Sequence, residues 1–296
     1  MRLLTKNESM LLWSADVLNI LKGRISMYYS LALFLILVTV LFHELGHLIA
    51  MRMSGIWVSE LGIGLPFGPS LGMTWKSKVD QKKTFRISIY PLLLGAFVRS
   101  EESEMRKSYK TNAFVCGAGI IGNLVYIALS IALIGALLPD DKVITTAFGT
   151  ITPLRMIVCG LAGALGLVVL AKPITRYLFP PLSLVIFGLV IMAFYKITGQ
   201  QFVENSGGMI ILGKMAGQYT KNLIDVLFFG MLVSYLLALT NLIPLYPLDG
   251  GQTIKYLVDK YTPRASKVFD KTGLYCVITL TVIALLGDVR RLYLLF

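Results

Sequence analysis

Long apolar stretches alternate with shorter polar segments along this chain. A helix that crosses a membrane needs about 20 mostly apolar residues. Six segments approach that length, at 27 to 50, 113 to 138, 156 to 171, 180 to 195, 226 to 247 and 272 to 287. The pattern predicts an all-α polytopic membrane protein with about six transmembrane helices, forming one membrane-embedded domain over residues 1 to 296.

Between the first two apolar segments the pattern changes. Residues 54 to 98 combine glycine and proline with alternating apolar and β-branched positions, which favour strands. Such backbone is tolerated at membrane depth only where protein or water satisfies its polar groups. We therefore predict a membrane re-entrant β-hairpin over this region, and a plain cytoplasmic loop stays as the alternative.

Composition and charge support the membrane assignment. Hydrophobic residues make up 56% of the chain and charged residues only 15%, against roughly 25% in soluble domains. The net charge of +12 is carried by loops, and no nucleic-acid-binding motif is present, so we expect no nucleic-acid partner. Seventeen of the 28 basic residues fall in 51 to 112, 172 to 179 and 248 to 271. The positive-inside rule places those loops in the cytoplasm and both termini outside.

Candidate chemistry lies near the inner end of the first segment. Residues 43 to 47 read His43-Glu44-Leu45-Gly46-His47, which is an H-E-x-x-H pattern. On a helix this pattern puts two imidazoles on one face, where they can bind one zinc ion. The glutamate then lies beside the metal-bound water and can act as general base. These are the only two histidines in the protein, and ionisable residues inside a membrane are usually functional. The alternative is a polar helix end with two hydrogen-bonded histidines.

A catalytic zinc site has three protein ligands and one open position. Asp249 is predicted at the depth of the two histidines, because segments 27 to 50 and 226 to 247 both run inward. It follows two prolines that would interrupt a helix and precedes two glycines. Two alternatives stay open: a protease whose third ligand is Glu204, which is predicted on the outer side, and a transporter or scaffold that binds zinc and does not need Glu44.

These motifs together resemble those of the site-2 protease family of intramembrane metalloproteases. The resemblance rests on H-E-x-x-H, on Asn241-Leu242-Ile243-Pro244 with Leu248-Asp249-Gly250, on residues 91 to 98, on Ala118-Gly119-Ile120-Ile121-Gly122-Asn123 and on Ser206-Gly207-Gly208. Ile120 and Gly208 stand where the family usually has proline. The resemblance implies that His43, His47 and Asp249 bind one zinc ion, that Glu44 is the base and that Asn241 contacts the substrate backbone or the oxyanion. For Asn241 the alternative is an interhelical hydrogen bond.

The family resemblance also carries expectations about substrates and location. We expect a transmembrane protein or peptide as substrate, the lipid bilayer and a regulatory membrane partner as contacts, and a place in the cytoplasmic membrane of a prokaryote. Many family members carry a PDZ domain, whereas this chain has the extra span pair 156 to 195. We further predict that Phe85, Ile87 and Ile89 lie on an exposed strand edge to which the unwound substrate adds.

Overall fold

A computed structural model describes residues 27–77, 83–100, 108–142, 144–146, 149–196 and 222–293. In chain order, the helices and strands of this part are α1 (Met27–Met53), β1 (Val58–Leu65), β2 (Leu71–Lys76), β3 (Thr84–Ile89), β4 (Leu92–Ser100), α2 (Tyr109–Leu137), β5 (Ile144–Thr146), β6 (Gly149–Ile151), α3 (Pro153–Pro173), a π-helix (Ile174–Leu178), α4 (Phe179–Lys196), α5 (Leu223–Leu242), α6 (Asp249–Tyr261) and α7 (Pro263–Tyr293).

Most of the described fold is helical, and each of the six predicted apolar segments overlaps a helix. Four helical stretches are long and apolar enough to cross a membrane: Phe34–Met53, Tyr109–Leu137, Pro153–Ile186 and Leu223–Leu242. The protein is therefore an integral membrane protein. The count of six spans stays a prediction.

The predicted loop at 172 to 179 is helical instead. Pro173 is the last residue of α3, and the chain continues through the π-helix into α4. A π-helical turn absorbs the irregularity that a proline introduces, so the prolines here do not open a loop. The polar segment after Asp249 likewise contains an unpredicted helix, the amphipathic α6.

Strands do form between α1 and α2, but they build more than a hairpin. Four of them make a mixed sheet in the order β2-β3-β1-β4. Strand β1 pairs in parallel with β3 and antiparallel with β4, while β2 pairs antiparallel with β3. In the described part of the chain, β2 and β4 are thus the edges of this sheet.

Helix α2 is the centre of the molecule. It packs against α1, α3, α5 and α6, and most of its first half is buried, including Phe114 and Val115. Two glycines make the crossing with α1 unusually close. A Cβ on Gly46 would lie 2.1 Å from the Ala118 carbonyl oxygen, and a Cβ on Gly122 would lie 2.2 Å from the Phe42 carbonyl oxygen. Small residues at a helix crossing allow backbones to touch in this way.

Candidate metal centre

The two histidines of the H-E-x-x-H pattern lie one helical turn apart on the face of α1 that meets α2. Both are buried, and their Nε2 atoms are 3.1 Å apart. The helix spacing brings the two rings together, because residues four apart share one face of a helix.

Asp249 reaches the same point from the other side. Helix α5 ends at Leu242, and α6 begins at Asp249, so the prolines do interrupt the helical path as expected. The Asp249 Oδ2 atom lies 3.2 Å from His43 Nε2 and 3.3 Å from His47 Nε2. As the first residue of α6, the carboxylate also lies at the positive end of that helix, which favours its charged form.

The two glycines after Asp249 have a packing role. They lie inside the first turn of α6, where a Cβ on Gly250 would be 2.5 Å from the Leu242 carbonyl oxygen, and one on Gly251 would be 2.2 Å from the Leu245 carbonyl carbon. Because neither glycine has a side chain, α6 can pack directly against the backbone of the preceding loop. Ser183 of α4 secures the same loop, since its hydroxyl donates a hydrogen bond to the Leu242 carbonyl.

These three donor atoms fit a zinc ion. Ligands at about 2.0–2.1 Å from a tetrahedral zinc are separated by about 3.3 Å, which matches the observed separations of 3.1, 3.2 and 3.3 Å. Asp249 Oδ2 is buried and forms no hydrogen bond of acceptable geometry with a described residue. Three electron-pair donors facing one another so closely repel unless a cation lies between them. Two imidazoles and one carboxylate are a donor set that suits zinc.

Helix α2 forms the floor beneath the imidazoles. The Val115 carbonyl lies 2.8 Å from His47 Nδ1, and the Asn123 side-chain amide lies 3.1 Å from His43 Nδ1. Between them, a Cβ on Gly119 would lie 2.5 Å from His47 Nε2. Residues 115, 119 and 123 are spaced by four, so one stripe of α2 supports both rings.

Sequence reasoning noted the motif that contains Gly119 and Asn123 and gave neither residue a role. A usable signal was present, because an asparagine in an otherwise apolar span is costly and calls for a buried partner.

A cavity of about 480 Å³ opens beside the donor atoms. Glu44, Asn241, the end of β4 and the loop before Asp249 line it. The Val98 backbone N–H of β4 hydrogen-bonds to the Glu44 carboxylate. Asn241 donates from Nδ2 to the Leu237 carbonyl of its own helix at 3.1 Å, so the described bond is not interhelical.

The predicted substrate-binding edge at Phe85, Ile87 and Ile89 is wrong. These residues belong to β3, which pairs with β1 on one side and with β2 on the other, so its backbone has no free edge. None of the three lines the cavity that contains Glu44. Alternation correctly indicated a strand there, but it carries no information about which strand ends up at the rim of the sheet. The strand at the cavity is β4.

Glu204, the alternative third ligand, lies outside the described residues, as does the segment Ser206-Gly207-Gly208.

Comparison with protein families decides the relationship. The model of peptidase family M50 matches residues 31–285, which run from within α1 to within α7. The chain belongs to peptidase family M50.

Two relatives that resemble part of this chain are named as zinc metalloproteases. One, from Ralstonia nicotianae, is 33% identical over 104 residues, which cover 33% of this chain and 22% of that protein. The other, from Rhizobium meliloti, is 32% identical over 101 residues, covering 32% of this chain and 27% of that protein.

This M50 chain thus matches only about a quarter of the length of those two relatives. Family membership confirms the resemblance drawn from the sequence motifs. Zinc is the metal that both relatives' names carry, and the cluster of His43, His47 and Asp249 could hold a metal ion.

Proposed function

We propose that this chain is an intramembrane zinc metalloendopeptidase that cleaves peptide bonds within or near the transmembrane segments of other membrane proteins. One observation carries the proposal: His43, His47 and Asp249 bring three donor atoms to zinc-ligand separations beside Glu44, in a cavity between apolar helices. The donor atoms come from two distant parts of the chain, which argues against a chance cluster. Family M50 membership supports the same chemistry.

The proposed roles follow from placement. His43, His47 and Asp249 would hold one zinc ion, which when bound supplies a Lewis acid that polarises the scissile carbonyl and activates water. Glu44 lines the same cavity without pointing a donor atom into the triangle of ligands, so it is free to accept the proton of the attacking water and return it to the leaving amine. Asn241, at the cavity wall, would donate a hydrogen bond to the developing oxyanion or to the substrate backbone.

The substrate must unwind before it is cut, since a helix hides its own peptide bonds. Strand β4 offers replacement partners. Among the described residues it pairs with a strand on one side only, that of β1, and its residues 97 to 100 line the cavity. Backbone groups alternate in direction along a strand, and the N–H of Val98 faces Glu44. The N–H of Ala96 therefore faces the same side. An unwound substrate would add to β4 as a further strand.

We further propose that the sheet enters the membrane surface. One face of the β2–β3 pair is wholly apolar: Leu71 pairs with Ile89, Met73 with Ile87 and Trp75 with Phe85. Leu71 is 81% exposed and Met73 66% exposed. A continuous exposed apolar face of this kind is typical of a membrane contact, and tryptophan favours the membrane interface.

Quenching of Trp75 fluorescence tests this placement. Trp13 and Trp57 are first replaced by phenylalanine, and the protein is reconstituted in vesicles that contain brominated lipids. Strong quenching of Trp75 is expected. Fluorescence equal to that in unbrominated vesicles would show the sheet to be a plain cytoplasmic loop. The excess of basic residues in the loops predicted to be cytoplasmic supports a metal centre towards the cytoplasmic side of a prokaryotic cytoplasmic membrane.

The activity is tested with purified protein and a labelled single-span peptide in proteoliposomes. Glu44→Gln should lose roughly 10²- to 10⁴-fold in cleavage rate while it keeps one zinc ion per chain, whereas His43→Ala should lose both zinc and activity. A zinc transporter or scaffold would not need Glu44. Zinc binding without cleavage by the wild type would therefore overturn the proposal, and cleavage by Glu44→Gln at the wild-type rate would overturn the role of Glu44. Substrates with a glycine or proline near the cut should be cleaved faster than all-leucine versions.

A further inference from the structure

Asn123 is a fully buried polar residue on the central helix α2, with no exposed surface. Its side-chain Nδ2 lies 3.1 Å from His43 Nδ1. Its Oδ1 is buried and has no hydrogen-bond partner in the described part of the chain. The backbone carbonyl of Asn123 is held separately, since it accepts a hydrogen bond from the Ser234 hydroxyl of α5 at 3.0 Å.

His47 shows what the second nitrogen of such a ring must do. Its Nδ1 lies 2.8 Å from the Val115 carbonyl oxygen, which can only accept. His47 therefore carries a proton on Nδ1, and in the neutral ring its Nε2 has a free electron pair. That is the tautomer that points Nε2 at Asp249 as a metal ligand.

The same tautomer is required of His43 if its Nε2, which lies 3.2 Å from Asp249 Oδ2, is also to bind the zinc ion. Its Nδ1 then carries a proton and needs an acceptor, yet the Asn123 amide presents its NH₂ group, so two donors face each other. Amide oxygen and nitrogen have nearly the same shape, and their assignment follows the hydrogen-bond network. Because no described partner holds Oδ1 where it is, rotating the amide by 180° breaks no bond and puts the oxygen opposite Nδ1.

We infer that Asn123 is a positioning residue for the metal centre: its amide oxygen accepts the hydrogen bond from His43 Nδ1 and so holds Nε2 of that ring towards the zinc. The inference rests on the proposed zinc site. Partners of this kind fix the ring orientation of a ligating histidine, and their removal typically weakens metal binding 10- to 100-fold. Val115 and Asn123, eight residues apart on one stripe of α2, would thus each orient one histidine.

Zinc affinity of three variants tests the inference, measured by competition with a chelator on the purified full chain. Asn123→Leu keeps the size of the side chain and removes the acceptor, so its zinc Kd should rise 10- to 100-fold. Asn123→Asp keeps an acceptor and loses the NH₂ donor, so its Kd should stay within about threefold of the wild type. Ser234→Ala, which touches the Asn123 backbone but no histidine, is the control and should leave the Kd unchanged.

The aspartate variant separates the two orientations of the amide. If the NH₂ group were the working partner of His43, Asn123→Asp would lose zinc as Asn123→Leu does, and that result would overturn the inference. Wild-type affinity in Asn123→Leu would overturn it too. Should Asn123→Leu fail to fold, Asn123→Ala replaces it with the same expectation. If the wild-type chain itself bound no zinc, the proposed function would fail. Equal zinc affinity in the wild type and all variants would instead overturn only the role of Asn123.

Discussion

Replacing Gly119 with alanine is expected to weaken zinc binding strongly and leave the zinc-free fold in place. The added Cβ would lie 2.5 Å from His47 Nε2 and 2.6 Å from His43 Cε1, whereas ordinary contacts begin at 3.4 Å. The His47 ring would therefore have to retreat by about 0.9 Å, while metal–ligand distances tolerate deviations of only about 0.2 Å. The ring cannot move that far and still bind.

The size of the effect follows from the loss of one ligand. Structural zinc sites bind with apparent free energies of about 10 to 16 kcal/mol over four ligands, or roughly 2.5 to 4 kcal/mol per ligand. Each 1.4 kcal/mol is about a tenfold change in Kd, so Gly119→Ala should weaken zinc binding roughly 10²- to 10³-fold.

The assay is zinc titration against a competing chelator, with thermal unfolding of the zinc-free protein as a check on the fold. Gly163→Ala in α3 is the matched control, because its Cβ would meet nothing closer than the Ala128 Cβ at 3.8 Å. It should leave zinc affinity unchanged. A zinc Kd within threefold of the wild type in Gly119→Ala would refute the close packing of α2 on the imidazoles.

Further predictions test the other parts of the site. His43→Ala and Asp249→Ala should each lose the single zinc ion measured by metal analysis, and full zinc occupancy in both would remove the basis for the ligand assignment. Ala96→Pro deletes a backbone donor on β4, an edge strand of the sheet as far as the structure describes it, where proline is tolerated. Cleavage should therefore fall about tenfold with zinc content unchanged, and normal cleavage would exclude strand addition at β4. A cysteine introduced at residue 267 should be labelled from the cytoplasmic side and one at residue 142 from the outer side, and the reverse pattern would overturn the predicted orientation.

The helices and the ligand cluster were predictable from the sequence because each depends on short-range patterns. Apolar runs of about 20 residues predicted segments that overlap the helices of the described fold. The four-residue spacing predicted that His43 and His47 would share a face, and the interruption before Asp249 predicted the helix break at Leu242. These features can be predicted without knowing which distant parts of the chain pack together. The meeting of Asp249 with the histidines is the exception, and it was indicated by their equal predicted depth in the membrane.

Features that depend on distant pairing were not predictable. The alternation at Phe85 to Ile89 indicates a strand, but β3 lies inside the sheet only because β2 folds back beside it. The role of Asn123 depends on how α2 crosses α1, which no local pattern specifies. The sequence pattern predicts a loop at residues 172 to 179, whereas the π-helix keeps the path helical by changing its hydrogen-bonding register.

The Ser183 hydrogen bond has a consequence for how this protein can be divided. Ser183 lies on α4, in the helical pair that occupies the place where many members of the resembled family carry a PDZ domain. Its bond to the Leu242 carbonyl and its closeness to Gly250, where a Cβ would lie 2.8 Å from its hydroxyl, tie that pair to the loop that presents Asp249. A PDZ domain is a module that can be exchanged or deleted as a unit. In this chain the corresponding segment supports the candidate metal centre, so a shortened version that omits α3 and α4 would lose the anchoring of Asp249 along with the segment.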